Sequence, residues 1–481
     1  MKKYFFFLLF ITTQTLFAQT YQPTWESLDA RPIPQWYKDA KFGIFIHWGV
    51  YSVPAWAPKG EYAEWYQHAL QTNDYNGQAV AYHNKKYGAD FSYYQFAPLF
   101  KAELFDPDAW AQLFEKSGAK YIVITSKHHD GFALWPSKEA STARGFAWNA
   151  VVAGPKRDLL GDLFKAVRKT SVRPGLYYSL YEWFNPLWLN DKPLYVKNHM
   201  WPQIKDVIDT YKPDVFWTDG EWEGSDTLWQ SKQILSWIFN ASKVKDSIVV
   251  NDRWGKDIRF HHGGFYTPEY QPELDFKDHY FEESRGRGFS YGYNRAEDID
   301  DYNSAKVLIL HLLDKVCRGG NFLLDIGPNA DGKIPPVMEE RLLEIGNWLK
   351  INGEAIYGTT RWKEPFQWGE GKKDYLPPKV GGFKTGGDIM LKLTEDPEPG
   401  YAIREVFFTQ KGNTVYAILP NWPVNGKILL RDISLKGKKV TLLETGEELK
   451  YAAKGKNSEI KLPVYNPNRI KSEYAYVIKI E

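Results

Sequence analysis

Short apolar runs, each leading into polar or aromatic residues, recur through roughly the first 350 residues and limit what this chain can fold into. They cover residues 42–46, 121–125, 175–180, 214–218, 247–251 and 321–326. The run Tyr121-Ile122-Val123-Ile124-Thr125 is β-branched and apolar without alternation, the pattern of a strand covered on both faces. Between the runs lie amphipathic stretches such as DAWAQLFEKSG (108–118) and RDLLGDLFKAVRKT (157–170). Strand and helix alternating this often imply an α/β fold with a parallel sheet. At this length a (β/α)8-like TIM barrel is the leading closed solution. An open doubly wound sheet that bound a dinucleotide would carry a glycine fingerprint after its first strand, and FGIFIHWGVYS has none.

The pattern changes after ERLLEIGNWLKINGEAIYGT (340–359), read as the last barrel helix and its exit. Residues 369–387 are rich in Gly, Lys and Pro. Beyond about residue 389, the runs REVFFTQKGNTVYAIL, KKVTLLETGEELKYAAKG and YAYVIKI alternate between turn signals, as strands of a C-terminal antiparallel β-sandwich do. The expected division is a signal segment over 1–18, a barrel over 19–360, a connection over 361–388 and a sandwich over 389–481.

The first residues, MKKYFFFLLFITTQTLFAQ, place two lysines before an apolar run too short to span a bilayer, then a polar stretch. That is the order of a secretory signal, with cleavage expected after Ala18, so the mature protein is expected to be soluble and exported, in the periplasm. Cleavage would remove Lys2 and Lys3 and leave the formal charge at zero. The single cysteine, Cys317, excludes an internal disulfide, so stability must come from the size of the core. With 61 basic and 59 acidic residues and no basic cluster, nucleic acid is not an expected partner. Oligomerisation is left open.

Most of the residues able to do chemistry follow a strand run. His47 ends the first, His128-His129 follow the next, Tyr177-Tyr178 lie in GLYYSLYEW, and Trp217 and Asp219 end VFWTDG. Arg253 ends IVVNDR, while Glu64-Trp65 and Tyr291 lie in aromatic loops. A barrel converges its strand ends on one mouth, so these distant positions become neighbours. Aromatic residues make up 16% of the chain, which suits a site that stacks on the C–H faces of sugars, although an aromatic core would give the same figure. Asp219, bracketed by Thr218 and Gly220 after an apolar run, can be a strand-end cap or a rigidly held, partly desolvated catalytic carboxylate. A carboxylate in an aromatic pocket suits glycoside hydrolysis, in which a second carboxyl group protonates the departing oxygen.

The motifs FGIFIHWGVYSVPAW, KYIVITSKHHDGF, FWTDGEW, NDRWG, SYGYNR and NFLLDIGPNADG, in this order from about residue 25 to 359, resemble glycoside hydrolase family 29, the α-L-fucosidases, most of all the branch with the animal lysosomal enzymes. The resemblance implies a retaining exo-α-L-fucosidase needing no cofactor, built on a (β/α)8-like barrel with a C-terminal sandwich and acting on fucosylated glycans. It implies that Asp219 of the WTDG motif is the nucleophile. It further implies fucose contacts for His47, Glu64, Trp65, His128, His129, Trp217, Arg253 and Tyr291, and it favours Tyr178 over Tyr177. Two glutamates are candidates for the acid/base. Glu269, in TPEY, is favoured; Glu282 is the alternative, with Phe281 standing where relatives carry Trp. Were Glu282 structural, it would pair with Arg285 or Arg287. Arg253 beside Asp219 would orient the nucleophile and favour its charged form.

Other readings are weaker. His47, His128, His129 and Asp219 could ligate a metal, but no H-x-x-x-H spacing or cysteine supports that, so no metal is expected. GGNFLLDIGPNADG lacks the Lys-Ser/Thr of a phosphate loop, and its Asp325 reads as structural. A fucose-binding protein without catalysis, or a glycosidase for a related sugar such as L-galactose, would share much of the same aromatic and polar material.

Overall fold

The computed structural model describes residues 20–271, 274–380, 384–385 and 389–481; the segment read as an export signal lies outside them. Seven parallel strands form the N-terminal sheet: β1 Phe42–Ile46, β2 Tyr121–Lys127, β3 Arg173–Ser179, β4 Val215–Asp219, β5 Val249–Val250, β6 Glu282–Arg285 and β7 Asn321–Ile326. Their order is β5-β4-β3-β2-β1-β7-β6. All six apolar runs are strands. The seventh, β6, consists only of Glu282, Glu283, Ser284 and Arg285, all buried, and no hydrophobic pattern could have revealed it.

The curled sheet is closed by a segment too irregular to be a strand. Phe265 bridges to Asn251 beside β5, and Tyr266 bridges to Phe281 beside β6. Further along, Glu269 bridges to Ser284. The Phe265 amide donates to Val250 O at 3.2 Å and the Glu282 amide donates to Tyr266 O at 2.8 Å. Residues 265–269 thus stand in the eighth position of a (β/α)8-like barrel, which leaves no open sheet edge there.

The expected amphipathic helices form, shortened by their caps. Pro107–Lys116 starts where the Asp106 side chain accepts from Ala109 N, and Leu159–Val167 starts where Asp158 accepts from Gly161 N. Each such cap contributes about 1 kcal/mol. Their apolar faces join Phe42, Ile44, Ile122, Leu176 and Phe216 in the core outside the sheet. The alternate residues Phe45, Val123, Tyr177, Val215, Trp217 and Leu323 fill the barrel itself. Strand alternation makes that division, one face per parity.

The C-terminal part is antiparallel. A five-stranded sheet runs Val440–Leu442, Tyr476–Ile480, Thr414–Leu419, Arg404–Lys411 and Thr360–Trp368, and a three-stranded sheet holds Lys427–Leu430, Asn457–Lys461 and Lys450–Lys454. Its first strand, Thr360–Trp368, falls where a connection is expected, and residues Ile389–Thr394 are helical where strands are expected. Pro365 and the exposed charges of TRWKEPFQW hide that strand, and two register shifts let it pair with Arg404–Lys411. Arg404 of this sheet pairs with the buried Asp314 of the barrel at 2.5 Å. Among the described residues, no helix is long and apolar enough to cross a membrane.

Candidate active site

The strand ends and the closing segment surround a cavity of about 280 Å³. Its walls include His47, Glu64, Trp65, His128, His129, Tyr177, Trp217, Asp219, Arg253, Glu269 and Tyr291. Parity explains the strand contributions: Phe45 on β1 and His47 just past its end, Tyr177 and Ser179 on β3, and Val215, Trp217 and Asp219 on β4 share the inward face. Just past Asp219 the chain turns sharply at Gly220, whose φ of +78° an L side chain rarely adopts and whose added Cβ would meet the Tyr181 ring at 2.4 Å.

Arg253 organises the charges. One terminal nitrogen donates to Asp219 Oδ1 at 2.7 Å and the other to Glu269 Oε2 at 3.1 Å, while its Nε donates to Thr267 Oγ1 at 3.0 Å. The guanidinium lies 4.6 Å from the Trp217 ring centroid. The Tyr177 hydroxyl donates to Asp219 Oδ2 at 2.8 Å, so both Asp219 oxygens are held. The Tyr62 hydroxyl donates to Glu269 Oε1 at 2.7 Å. Burial pushes the Glu269 carboxyl upward, but Arg253, Arg259 and the Tyr62 hydrogen bond outweigh it and leave its pKa below the ordinary value.

The histidines are neutral, because burial holds all three well below the usual imidazole range. His47 Nδ1 lies 2.6 Å from Asp325 Oδ1, and that shared proton fixes the ring. His129 Nδ1 lies 2.6 Å from Ser179 Oγ, with Nε2 3.6 Å from Asp219 Oδ2. His128 stacks on Tyr177 with centroids 5.7 Å apart, and its buried Nδ1 has no hydrogen-bond partner among the described residues. A neutral ring with a buried, unpaired nitrogen beside a cavity suits hydrogen bonding to a hydroxyl-rich ligand. Glu64 accepts from the Gly292 amide at 2.8 Å, which fixes its carboxylate beside Tyr291.

Two expectations are corrected. Tyr178 is not at the cavity: it lies on the outward face of β3, its hydroxyl donating to Gln203 Oε1 at 2.8 Å and its ring beneath Lys127 Nζ at 4.4 Å. A shift of one residue along a strand changes its face, and Tyr177 has the inward position. Glu282 points into the barrel but lies below the cavity. It accepts from Tyr37 at 2.7 Å, from Tyr121 and from Trp217 Nε1 at 3.1 Å. Among the described residues, no arginine pairs with it. Its neighbour Glu283 takes Arg285 at 2.8 Å and Lys315 on the outward face. Burial, only partly offset by the three donors, raises Glu282 to about 7.

Asp325, read as structural, holds His47. Phe45, Tyr62, Trp222, Arg259 and Ser284 also line the cavity, and none carried a sequence signal that set it apart. Arg259 and Glu269 come from the closing segment and its approach, which no periodicity marks. Among the described residues, no group of three His, Cys, Asp or Glu side chains is arranged to hold a metal ion.

The Tyr177 and Tyr178 placements separate in a simple experiment. Tyr177→Phe removes a charged hydrogen bond worth about 1.5–3 kcal/mol and is expected to lower kcat/KM roughly 10- to 100-fold. Tyr178→Phe is expected to lose about 1 kcal/mol of stability with kcat/KM unchanged. The reverse ranking in steady-state kinetics would refute the parity assignment.

Residues 8–354 match the family model for α-L-fucosidase, and residues 401–481 match the α-L-fucosidase C-terminal domain. The chain is 41% identical over 471 residues to the tissue α-L-fucosidase of Homo sapiens, covering 96% of this chain and 91% of that one. It is 45% identical over 373 residues to an α-L-fucosidase of Dictyostelium discoideum, covering 76% and 80%. The crystal structure of Thermotoga maritima α-fucosidase with a mechanism-based inhibitor matches with a TM-score of 0.78 and 37% identity, covering 96% of this chain and 99% of that one.

Proposed function

The chain belongs to the α-L-fucosidase family, and from that premise we propose that Asp219 is its nucleophile, Glu269 its acid/base, and the cavity the seat of one terminal fucosyl residue. The protein is a glycoside hydrolase that releases α-L-fucosyl groups from glycans, and its family works by double displacement with retention. In the first step, as proposed, an Asp219 oxygen forms a bond to the anomeric carbon while the glycosidic C–O bond breaks. The Glu269 proton goes to the departing oxygen. In the second step the Glu269 carboxylate takes a proton from water, the water oxygen bonds to the anomeric carbon, and Asp219 is released.

The observation that carries this reading is the single guanidinium of Arg253 touching both carboxylates across one cavity. Two nitrogens of one fork suit the roughly 5–5.5 Å carboxyl separation of retaining enzymes better than the 6.5–9.5 Å that makes room for water in inverting ones. His47, Glu64, Trp65, His128, His129 and Arg253 supply the polar contacts for sugar hydroxyls, and Trp217 and Tyr291 enclose the methyl group. A site built on such hydrogen bonds rejects sugars lacking the matching hydroxyl strongly. The test is the anomeric form of the first product: ¹H NMR during hydrolysis of an aryl α-L-fucoside should show α-L-fucose before mutarotation. β-L-Fucose appearing first would refute a covalent Asp219 intermediate.

The localisation proposal rests on the sequence alone. Residues 1–18 are an export signal and the enzyme works in the periplasm, so N-terminal sequencing of the exported protein should begin at Gln19. The barrel over 19–360 and the sandwich over 389–481 remain the proposed domains, with Thr360–Trp368 adding the edge strand of the sandwich's five-stranded sheet.

A further inference from the structure

We propose that Trp222 is the platform for the leaving sugar, a second subsite at the cavity rim that takes the apolar C–H face of a hexopyranose. The inference rests on the fucosidase reading of the cavity. At about 280 Å³ the cavity is smaller than the roughly 300–1,000 Å³ of pockets that enclose drug-sized ligands, so it encloses one sugar ring and the next must lie at its mouth.

At that mouth the aromatic lining changes character. Phe45, Tyr177, Trp217 and Tyr291 are each at most 6% exposed and Tyr62 and Trp65 are half-buried, whereas Trp222, which lines the same cavity, is 39% exposed. The rings recorded against it, His129 at 5.6 Å and Tyr181 at 6.0 Å, stand at 75° and 76° to the indole, so neither lies flat on it. An indole with an uncovered face in water is unfavourable for a residue that serves only packing, but suits a sugar-stacking surface.

The platform is also fixed and correctly placed. Trp222 sits in the 3₁₀ turn Glu221–Glu223, three residues past Asp219, and Trp229 Nε1 donates to Glu221 O at 3.1 Å beneath it. The Glu221 side chain is buried below the turn. His129, against which the indole stands, reaches within 3.6 Å of Asp219. Asp219 marks the anomeric carbon, and the departing oxygen leaves on the opposite side, toward Glu269; Trp222 lines the same cavity as Glu269 and is exposed at its rim, where a leaving sugar meets solvent. Local sequence could not show this, because Trp222 in GEWEG reads as one more loop aromatic.

The test compares Trp222→Ala with the wild type on two substrates that share the fucosyl group: α-L-fucosyl fluoride, whose leaving group has nothing to stack, and an α-L-fucosyl-hexopyranose disaccharide. Turnover of both by the wild type is read first. Inactivity on both would remove the fucosidase reading and this subsite with it. The expected result is a kcat/KM on the disaccharide that falls about tenfold further than on the fluoride, with most of the difference restored in Trp222→Phe. An equal loss on the two substrates would overturn the subsite and assign Trp222 to positioning His129. No loss on the disaccharide would overturn it outright.

Discussion

Asp219→Ala will lower turnover of an aryl α-L-fucoside by at least about a thousandfold, the scale on which removing one member of a covalent catalytic unit acts. Asp219 is held on both oxygens at the cavity, by Arg253 at 2.7 Å and Tyr177 at 2.8 Å. That double grip sets one lone pair toward the sugar and prevents rotation away. Truncation leaves both donors without their acceptor, at a cost of about 1–3 kcal/mol in stability, so thermal unfolding and fucose binding are measured alongside the kinetics. Added azide should restore part of the turnover by bonding to the anomeric carbon from the side the carboxylate occupied. The aryl oxide departs with the bond electrons, and the product is β-L-fucosyl azide. A folded variant retaining more than a few per cent of wild-type turnover without azide would remove Asp219 from the nucleophile's role.

Glu269→Ala should divide substrates by their leaving groups. Lost general-acid catalysis is worth about 10²–10⁴-fold, felt in full by an alkyl or sugar leaving group and little by fluoride or a dinitrophenolate. Azide should then speed release of the fucosyl-enzyme and give α-L-fucosyl azide, the opposite anomer from the Asp219 variant. The wild-type pH profile follows from the same group. Arg253 and Arg259 lower the Glu269 pKa against the effect of burial, and the acid must carry its proton at bond cleavage. Hence kcat/KM on unactivated fucosides falls as pH rises through that pKa, and the optimum lies on the acid side of neutrality.

Glu282→Gln is the contrast. Its carboxyl is raised to about 7 in the folded protein, so its favourable contribution is complete below about 4.5 and is lost as pH rises through about 7. A shift of this size corresponds to roughly 3 kcal/mol. The Gln variant should therefore flatten the dependence of Tm on pH between about 4.5 and 7, and azide should not rescue its turnover. Rescue of Glu282→Gln but not Glu269→Ala would exchange the two roles.

The acid/base ambiguity illustrates where reading the residues stops. TPEY and FEES both present a glutamate after the Arg253 strand, and only the motif around each, with Phe281 in place of Trp, favours Glu269. The structure gives them different places: β6, an all-polar strand, sets Glu282 inward beneath Trp217, and the closing segment bridges Glu269 to Ser284 at the cavity. Tyr177 and Tyr178 are the same problem at shorter range: two adjacent tyrosines, one parity apart.

The sequence determined what local pattern can encode. The six apolar strands, the capped helices between them, the change to antiparallel strands near the end, and the grouping of His47, His128-His129, Trp217, Asp219 and Arg253 after strand ends all follow from periodicity and composition over a few residues. Tertiary structure decided the rest: closure of the sheet by residues 265–269, burial of a strand with no apolar residue, the face each tyrosine takes, and the exposure of Trp222, greater than that of any other described aromatic lining the cavity. Those features depend on which distant strands pair and in what register. A polar strand such as β6 is stabilised by partners such as Lys315, Tyr37 and Trp217, which no window of sequence brings together.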